Sequence, residues 1–133
     1  MSDWKTLHPD GWRAPVGYAD GVSASGRMIV TAGQIGWNPA TGAFESDDFA
    51  TQTAQALRNI VAVLHAGGAK PEHLVRLTWF VTSREEYSAA RKAIGVAYRE
   101  IIGLRFPAMS VVVVSALVEP RAKVEIEATA VVG

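Results

Sequence analysis

The chain has 133 residues, of which 49% are hydrophobic and 20% charged, with 13 Lys and Arg balanced by 13 Asp and Glu. This size predicts a single domain over residues 1–133, and the composition excludes a disordered chain. A net charge of zero provides no electrostatic footprint for nucleic acid or an anionic membrane surface, and the absence of cysteine excludes disulfides, thiolate catalysis and Cys-ligated zinc.

The start of the chain lacks the features of a targeting segment. Asp3, Lys5 and His8 occupy positions where a signal peptide would need an apolar run. The longest apolar stretch, residues 108–118, is far shorter than the roughly 20 residues of a membrane-spanning helix. We therefore expect a soluble, cytoplasmic protein without membrane contact.

Residues 18–34 read as two short strands around a turn. Ser25 and Gly26 separate two short runs of β-forming residues, which predicts a β-hairpin. Residues 37–42 then combine Trp, Asn, Pro, Ala, Thr and Gly, a composition typical of a loop.

A helix and a strand follow. Asp47 and Asp48 are candidate N-caps for a helix with apolar residues at three- and four-residue steps, and Gly67 with Gly68 supplies its stop. Residues 74–81 alternate and are rich in β-branched and aromatic side chains, which predicts a strand.

A second helix and two further strands complete the chain. Ser83 and Glu86 form a capping-box pattern before a helix whose apolar stripe continues to Ile101 and ends near Gly103. Pro107 excludes helix, residues 109–114 predict a strand, and residues 123–132 alternate as a last strand.

The resulting order, β-β-α-β-α-β-β, predicts an α+β fold with one mixed sheet and two helices on one face. Residues 111–114 are four valines that project alternately to both faces of the sheet. Because two helices cover only one face, the sequence predicts that another copy of the chain covers the second face.

Common catalytic signatures are missing from the sequence. The glycines before Ala69 and Lys70 lack the spacing of a phosphate-binding loop and fit a helix C-cap better. His8, His65 and His73 have no metal-ligand spacing, so we expect no metal site.

An ordered set of short motifs carries a family resemblance from about residue 15 to 131. It comprises Gly17-Tyr18, Thr31-Ala32-Gly33-Gln34-Ile35, Asn38-Pro39, Thr41-Gly42, Gln52-Thr53, Leu57, Asn59-Ile60, Phe106-Pro107-Ala108 and Val124-Glu125-Ile126-Glu127-Ala128. In this order the sequence resembles the RidA/YjgF family of enamine and imine deaminases. The resemblance implies a chorismate-mutase-like fold, a homotrimer with clefts between subunits, and hydrolysis of enamines and imines to a ketoacid and ammonia without a cofactor.

The resemblance also implies a site. Tyr18 matches the family's site tyrosine, Glu125 the carboxylate that orients the attacking water, and Gly33 a glycine whose backbone lines the cleft. Without the resemblance, Glu125 reads as a solvated strand residue and Tyr18 as a packing residue. Met109 departs from the family, because active members have an arginine there to hold the substrate carboxylate, and a thioether provides neither charge nor donor.

Further positions concern the walls of the cleft. Ala32 stands where the family usually has serine, and Val111 where cysteine is common, so the expected cleft is unusually apolar. Backbone groups near Ser110 are expected beside the substrate, and Trp37 either walls the cleft or packs in a core or subunit contact.

Arg91 has two interpretations. It falls where the family often has a cleft-lining asparagine and could supply the anion anchor that Met109 lacks. Alternatively, it extends to solvent beside Glu85 or Glu86, the interpretation that the pattern alone favours. Arg105 is a second basic candidate for this anchor. Because it directly precedes Phe106, we expect it in a loop.

Two functions remain open from the sequence. The first is an enamine or imine deaminase of non-standard substrate range, with Glu125 and Tyr18 as catalytic residues. The second is a trimer that binds a small molecule without turnover. A ribonuclease activity, also attributed to this family, is disfavoured because the chain has no net positive charge.

Overall fold

The computed structural model describes residues 3–133, which form seven strands, two α-helices and a short 3₁₀ turn at Pro71–His73. In chain order the elements are β1 (Lys5–Leu7), β2 (Gly21–Ser23), β3 (Arg27–Val30), β4 (Gln34–Ile35), α1 (Phe49–Ala66), β5 (Leu74–Val81), α2 (Arg84–Ile101), β6 (Ala108–Val113) and β7 (Val124–Val132). Both helices and the strands β5, β6 and β7 agree with the predicted segments to within one or two residues.

The predicted caps define both helices. The carboxylate of Asp48 accepts hydrogen bonds from the backbone N–H and the hydroxyl of Thr51, at 2.9 and 2.8 Å, and opens α1. Hydrogen bonding by Thr51 holds the pKa of Asp48 below its ordinary value. Ser83 caps α2 by accepting a 3.1 Å hydrogen bond from the N–H of Glu86. No helix within residues 3–133 is long and apolar enough to cross a membrane.

The main sheet is mixed, which confirms the α+β class. Its strands lie in the order β3-β7-β5-β6, and β4 also pairs with β7. β5 and β6 are parallel because α2 carries the chain from one end of the sheet back to the other, whereas the remaining pairs are antiparallel.

One face of this sheet packs against the helices. Leu77, Trp79 and Val81 of β5 are buried there, in register with alternate residues of β7. These side chains join the apolar faces of α1 and α2 in one core cluster. The alternation of β5 and β7 therefore reflects a face that is buried by the helices.

The predicted hairpin of residues 18–34 is wrong. β2 pairs with β1 in a separate two-stranded sheet, whereas β3 pairs with β7. Gly26, at φ +143°, approaches the backbone of Val132 so closely that a Cβ would collide with it, and the carboxylate of Asp3 binds Ser25. The turn thus passes the chain from one sheet to the other, because long-range partners on both sides outcompete the local pairing.

No helix among residues 3–133 covers the other face of the main sheet. Phe80, Val112 and Glu125 lie on this open face, since Phe80 is the register partner of both Val112 and Glu125. Val112 is 42% exposed, and Met28 and Val30 of β3 are 66% and 65% exposed. These exposed apolar side chains match the predicted uncovered surface, and its coverage by another copy of the chain remains a prediction.

Candidate functional site

A cavity of about 410 Å³ lies between α2 and the edge strand β6 on the helix side of the sheet. It is lined by Val16, Gly17, Tyr18, Trp79, Tyr87, Arg91, Ile94, Gly95, Tyr98, Arg99, Phe106, Met109 and Val111. Four of the positions singled out in the sequence, Tyr18, Arg91, Met109 and Val111, are therefore brought together here.

Tyr18 reaches the cavity because the segment before β2 is attached to the start of β6. The N–H of Ala19 donates a 3.0 Å hydrogen bond to the carbonyl of Pro107, and Ala19 bridges to Ala108 in a parallel arrangement. Met109 is the second residue of β6. Its side chain lies on the helix face of the sheet, in register with Leu77. The tyrosine and the methionine thus border one space.

Arg91 is one of the exposed residues that line this cavity, and it forms no ion pair with Glu85 or Glu86. Its guanidinium carbon lies 5.9 Å from the ring centroid of Tyr87, one helical turn earlier. Glu86 pairs instead with Lys123 at 2.7 Å, and Arg91 has no ion pair among residues 3–133. Arg91 is thus an exposed residue that also lines the cavity, and its role as an anion anchor remains a prediction.

The cavity contains a second arginine, Arg99, that the sequence patterns did not single out. Arg99 lies eight residues after Arg91, two turns along the same face of α2, and its Nη1 would be 3.8 Å from a Cβ on Gly95. Arg99 has no ion pair within residues 3–133. Arg91, Gly95 and Arg99 are spaced at i, i+4 and i+8, which places them on one face of α2. This spacing could have indicated Arg99 as a cavity residue.

Two buried polar atoms in the cavity walls have no hydrogen-bond partner among residues 3–133, namely Nε1 of Trp79 and the hydroxyl of Tyr98. The residues are only 3% and 4% exposed. The Tyr98 ring stacks on Phe106 with centroids 5.3 Å apart. Burial raises the pKa of the Tyr98 hydroxyl, which keeps it a neutral donor.

Glu125 and Gly33 form a second group on the open face. A Cβ on Gly33 would lie 2.7 Å from Cδ and 2.8 Å from Cγ of Glu125, so the glutamate side chain occupies the space above the glycine. The Glu125 carboxylate has no hydrogen bond or ion pair within residues 3–133. The carbonyl of the exposed Ala32, next to Gly33 in the chain, accepts a 2.9 Å hydrogen bond from the hydroxyl of Thr31.

A single chain keeps these two groups apart. Met109 lies on the helix face, whereas Ser110 is its neighbour on β6 and faces the open side. Glu125 is on that open side two strands away, at about 10 Å from β6 given the usual strand spacing. Tyr18, Arg91 and Met109 therefore cannot meet Glu125 and Gly33 within one subunit.

Two further candidates lie outside the cavity. Trp37 packs on Phe44 with ring centroids 6.1 Å apart, and its carbonyl accepts a 3.0 Å hydrogen bond from Asn59. Arg105 is in a loop as predicted, where its guanidinium lies 4.2 Å from the ring centroid of Trp4. Within residues 3–133 no cluster of three or more His, Asp or Glu side chains is placed to hold a metal ion.

Comparison with known proteins places these features in a family. The family model described as Endoribonuclease L-PSP matches residues 12–132. A 2-iminobutanoate/2-iminopropanoate deaminase of Escherichia coli (strain K12) is 37% identical over 128 residues, which cover 96% of this chain and 97% of the relative.

Solved structures agree with this assignment. The Rid-family protein YyfB of Yersinia pestis, described as of unknown function, has a TM-score of 0.86 at 32% identity, covering 98% of this chain and 99% of that one. Escherichia coli TdcF, solved with bound serine, has a TM-score of 0.72 at 28% identity, with coverages of 97% and 99%. The resemblance and the fold that the motifs predicted are thereby confirmed.

Proposed function

Because this chain belongs to the Endoribonuclease L-PSP family, the RidA/YjgF family of the motif resemblance, we propose that it hydrolyses a small enamine or imine to a carbonyl compound and ammonia. The observation that carries this proposal is the carboxylate of Glu125, which lies over Gly33 and has no ion pair within residues 3–133. A carboxylate without an ion pair is available to accept a proton from water. The iminobutanoate/iminopropanoate deaminase among the relatives supports the same reaction class.

The reaction site requires two copies of the chain in this proposal. Glu125 and Gly33 on the open face of one subunit meet Tyr18, Arg91 and Met109 in the cavity of its neighbour. A homotrimer, as the family resemblance implies, makes three such clefts. The exposed apolar side chains of the open face, including Val112, supply the contact surface.

The proposed chemistry uses water and groups of the protein itself. Glu125 accepts a proton from water while the water oxygen attacks the C=N carbon, and it passes this proton to the imine nitrogen to give a carbinolamine. Glu125 then transfers the proton of the new hydroxyl to the amino group, so that the C–N bond breaks, ammonia leaves and the C=O bond forms. Tyr18 hydrogen-bonds the substrate, and backbone groups near Gly33 and Ser110 stabilise the tetrahedral species.

The grip on the substrate differs from that of the family. Met109 has no charge or donor, so the family's carboxylate contact is missing at this position. Arg91 lines the same cavity without an ion pair within the described chain, and we assign it the role of anchor for a substrate carboxylate. The charge is thereby moved from β6 to α2.

Ammonia release from an imine generated in situ tests the proposal. We expect Glu125→Gln to lower the catalysed rate by about 10²-fold, the usual contribution of a positioned general base. Glu127→Gln is the matched control, because Glu127 lies two residues further on the same strand and face. Equal rates for wild type and Glu125→Gln would contradict hydrolysis.

The second candidate is a trimer that binds a small molecule without turnover, which Met109 favours because the family's arginine is missing. The serine bound to TdcF shows that a relative holds an amino acid. Under this alternative, Glu125→Gln changes ligand affinity, and neither protein accelerates ammonia release.

A further inference from the structure

We propose that the cavity between α2 and β6 selects α-imino and α-keto carboxylates whose side chain is an aromatic ring bearing an oxygen. This inference names the substrate class and rests on the proposed function. It is carried by the size of the cavity, the charges at its exposed side and two unpartnered donors in its walls.

The size and walls of the cavity point to a bulky apolar group. About 410 Å³ is within the range of pockets that enclose ligands of drug size, so an imino acid of three or four carbons would leave much of it unfilled. Trp79, Tyr98 and Phe106 form aromatic walls, and Met109 places an adaptable thioether beside them. An aromatic ring packs favourably against such a surface.

The charges are concentrated on one side. Arg91 and Arg99 are both exposed residues of α2, and neither has an ion pair within residues 3–133. Gly95 lies between them along α2, although glycine is unfavourable inside a helix relative to alanine. A Cβ on Gly95 would come within 3.8 Å of Nη1 of Arg99, so glycine leaves the space beside this guanidinium free for a ligand carboxylate.

The walls contain two donors that the protein leaves unused. Nε1 of Trp79 can only donate, and the neutral hydroxyl of Tyr98 can donate as well. Both atoms are shielded from solvent and have no partner among the described residues. A buried unsatisfied donor is costly, so a ligand oxygen that accepts from either atom gains a hydrogen bond without breaking one.

The order of these features fits one kind of ligand. The carboxylate binds at the exposed arginines, the ring packs on Phe106 and Met109, and an oxygen on the ring reaches the donors of Trp79 and Tyr98. An aliphatic imino acid satisfies the first contact only. The replacement of the family's arginine by Met109 belongs to the same arrangement, because a cation at this position would stand where the ring packs.

Stable keto-acid products are suitable probes, since imines hydrolyse in water. We would measure binding of pyruvate, phenylpyruvate and 4-hydroxyphenylpyruvate to the assembled protein by calorimetry. We expect phenylpyruvate to bind at least about tenfold more tightly than pyruvate, and the hydroxyl to add a further several-fold. Arg91→Ala should weaken all three, whereas Lys92→Ala, on the exposed surface of the same helix, should weaken none.

The hydroxyl preference is tested with Tyr98→Phe and, independently, with Trp79→Phe. At least one of these variants should bind 4-hydroxyphenylpyruvate no better than phenylpyruvate. Equal binding of pyruvate and phenylpyruvate by the wild type, or a hydroxyl preference that persists in both variants, would overturn the inference. A wild type that binds the aromatic acids as expected but releases no ammonia leaves the ligand class standing and rejects only the proposed hydrolysis.

Discussion

The side chain of Glu125 occupies the position in which a side chain on Gly33 would begin. Gly33 directly precedes β4 and Glu125 lies in β7, and the glutamate Cδ is only 2.7 Å from an ideal Cβ on the glycine. Contacts below 3.0 Å are essentially never made by real Cβ atoms. Gly33 has no positive φ, so the backbone conformation does not explain the glycine. Glycine at this position instead leaves space for the side chain of Glu125.

Gly33→Ala is therefore expected to displace the Glu125 carboxylate while leaving the strands intact. A displacement of about 1 Å at a reacting group can cost about 10²-fold in rate, so the variant should resemble Glu125→Gln in ammonia release. Gly21→Ala is the matched control, since its Cβ would make only an ordinary 3.4 Å contact with Leu7. Wild-type turnover by Gly33→Ala would show that the position of Glu125 is unimportant.

Met109→Arg introduces the cation that the family resemblance implies at this position of β6. Because a hydrogen bond to a charged group contributes about 1.5–3 kcal/mol, we expect tenfold or greater improvement in kcat/KM for 2-iminopropanoate. The gain should be largest in an Arg91→Ala background, where no anchor from α2 competes. Met109→Leu controls for the loss of the thioether, and an unchanged kcat/KM in both backgrounds would show that the carboxylate is held elsewhere.

Tyr98→Phe should stabilise the protein. Removal of a buried hydroxyl without a partner relieves an unsatisfied group, which is worth about 1 kcal/mol in the free energy of unfolding. The measurement is urea denaturation at a fixed protomer concentration, because assembly contributes to stability. A loss of stability in this variant would reveal a partner for the hydroxyl.

The same tyrosine predicts a pH dependence. Burial raises the folded-state pKa of Tyr98 above the value of about 10 in the unfolded chain. The stabilisation from keeping Tyr98 neutral in the folded state is fully present below pH 10, and it is lost as the pH rises through the folded pKa. Wild type should therefore lose more stability than Tyr98→Phe between pH 10 and 11, and parallel curves would contradict this assignment.

Val112→Lys tests the open face as a subunit contact. Val112 is 42% exposed beside Phe80 on the open face, and a lysine there would place a charge in the proposed trimer interface. We expect light scattering to give three copies for wild type and smaller species for the variant. Val118→Lys, at a position 96% exposed, should remain a trimer, and a monomeric wild type would remove the basis for a shared cleft.

The sequence by itself determined the elements that depend on neighbouring residues. The caps at Asp48 and Ser83, the helical stripes and the alternation of β5 and β7 involve residues a few positions apart, so local patterns predict them. The ordered motifs also identified the family. Met109 was recognisable as a departure because the motif around it is otherwise intact.

Only the tertiary structure decided which strands pair and which side chains share a space. β2 and β3 are joined by a turn, yet their partners are β1 and β7, and these pairings depend on contacts distant in sequence. Arg91 and Arg99 are exposed residues that also line the cavity, and this position depends on how α2 packs on the sheet. The separation of Glu125 from Tyr18 likewise follows from strand order and the alternation of faces, which no local pattern encodes.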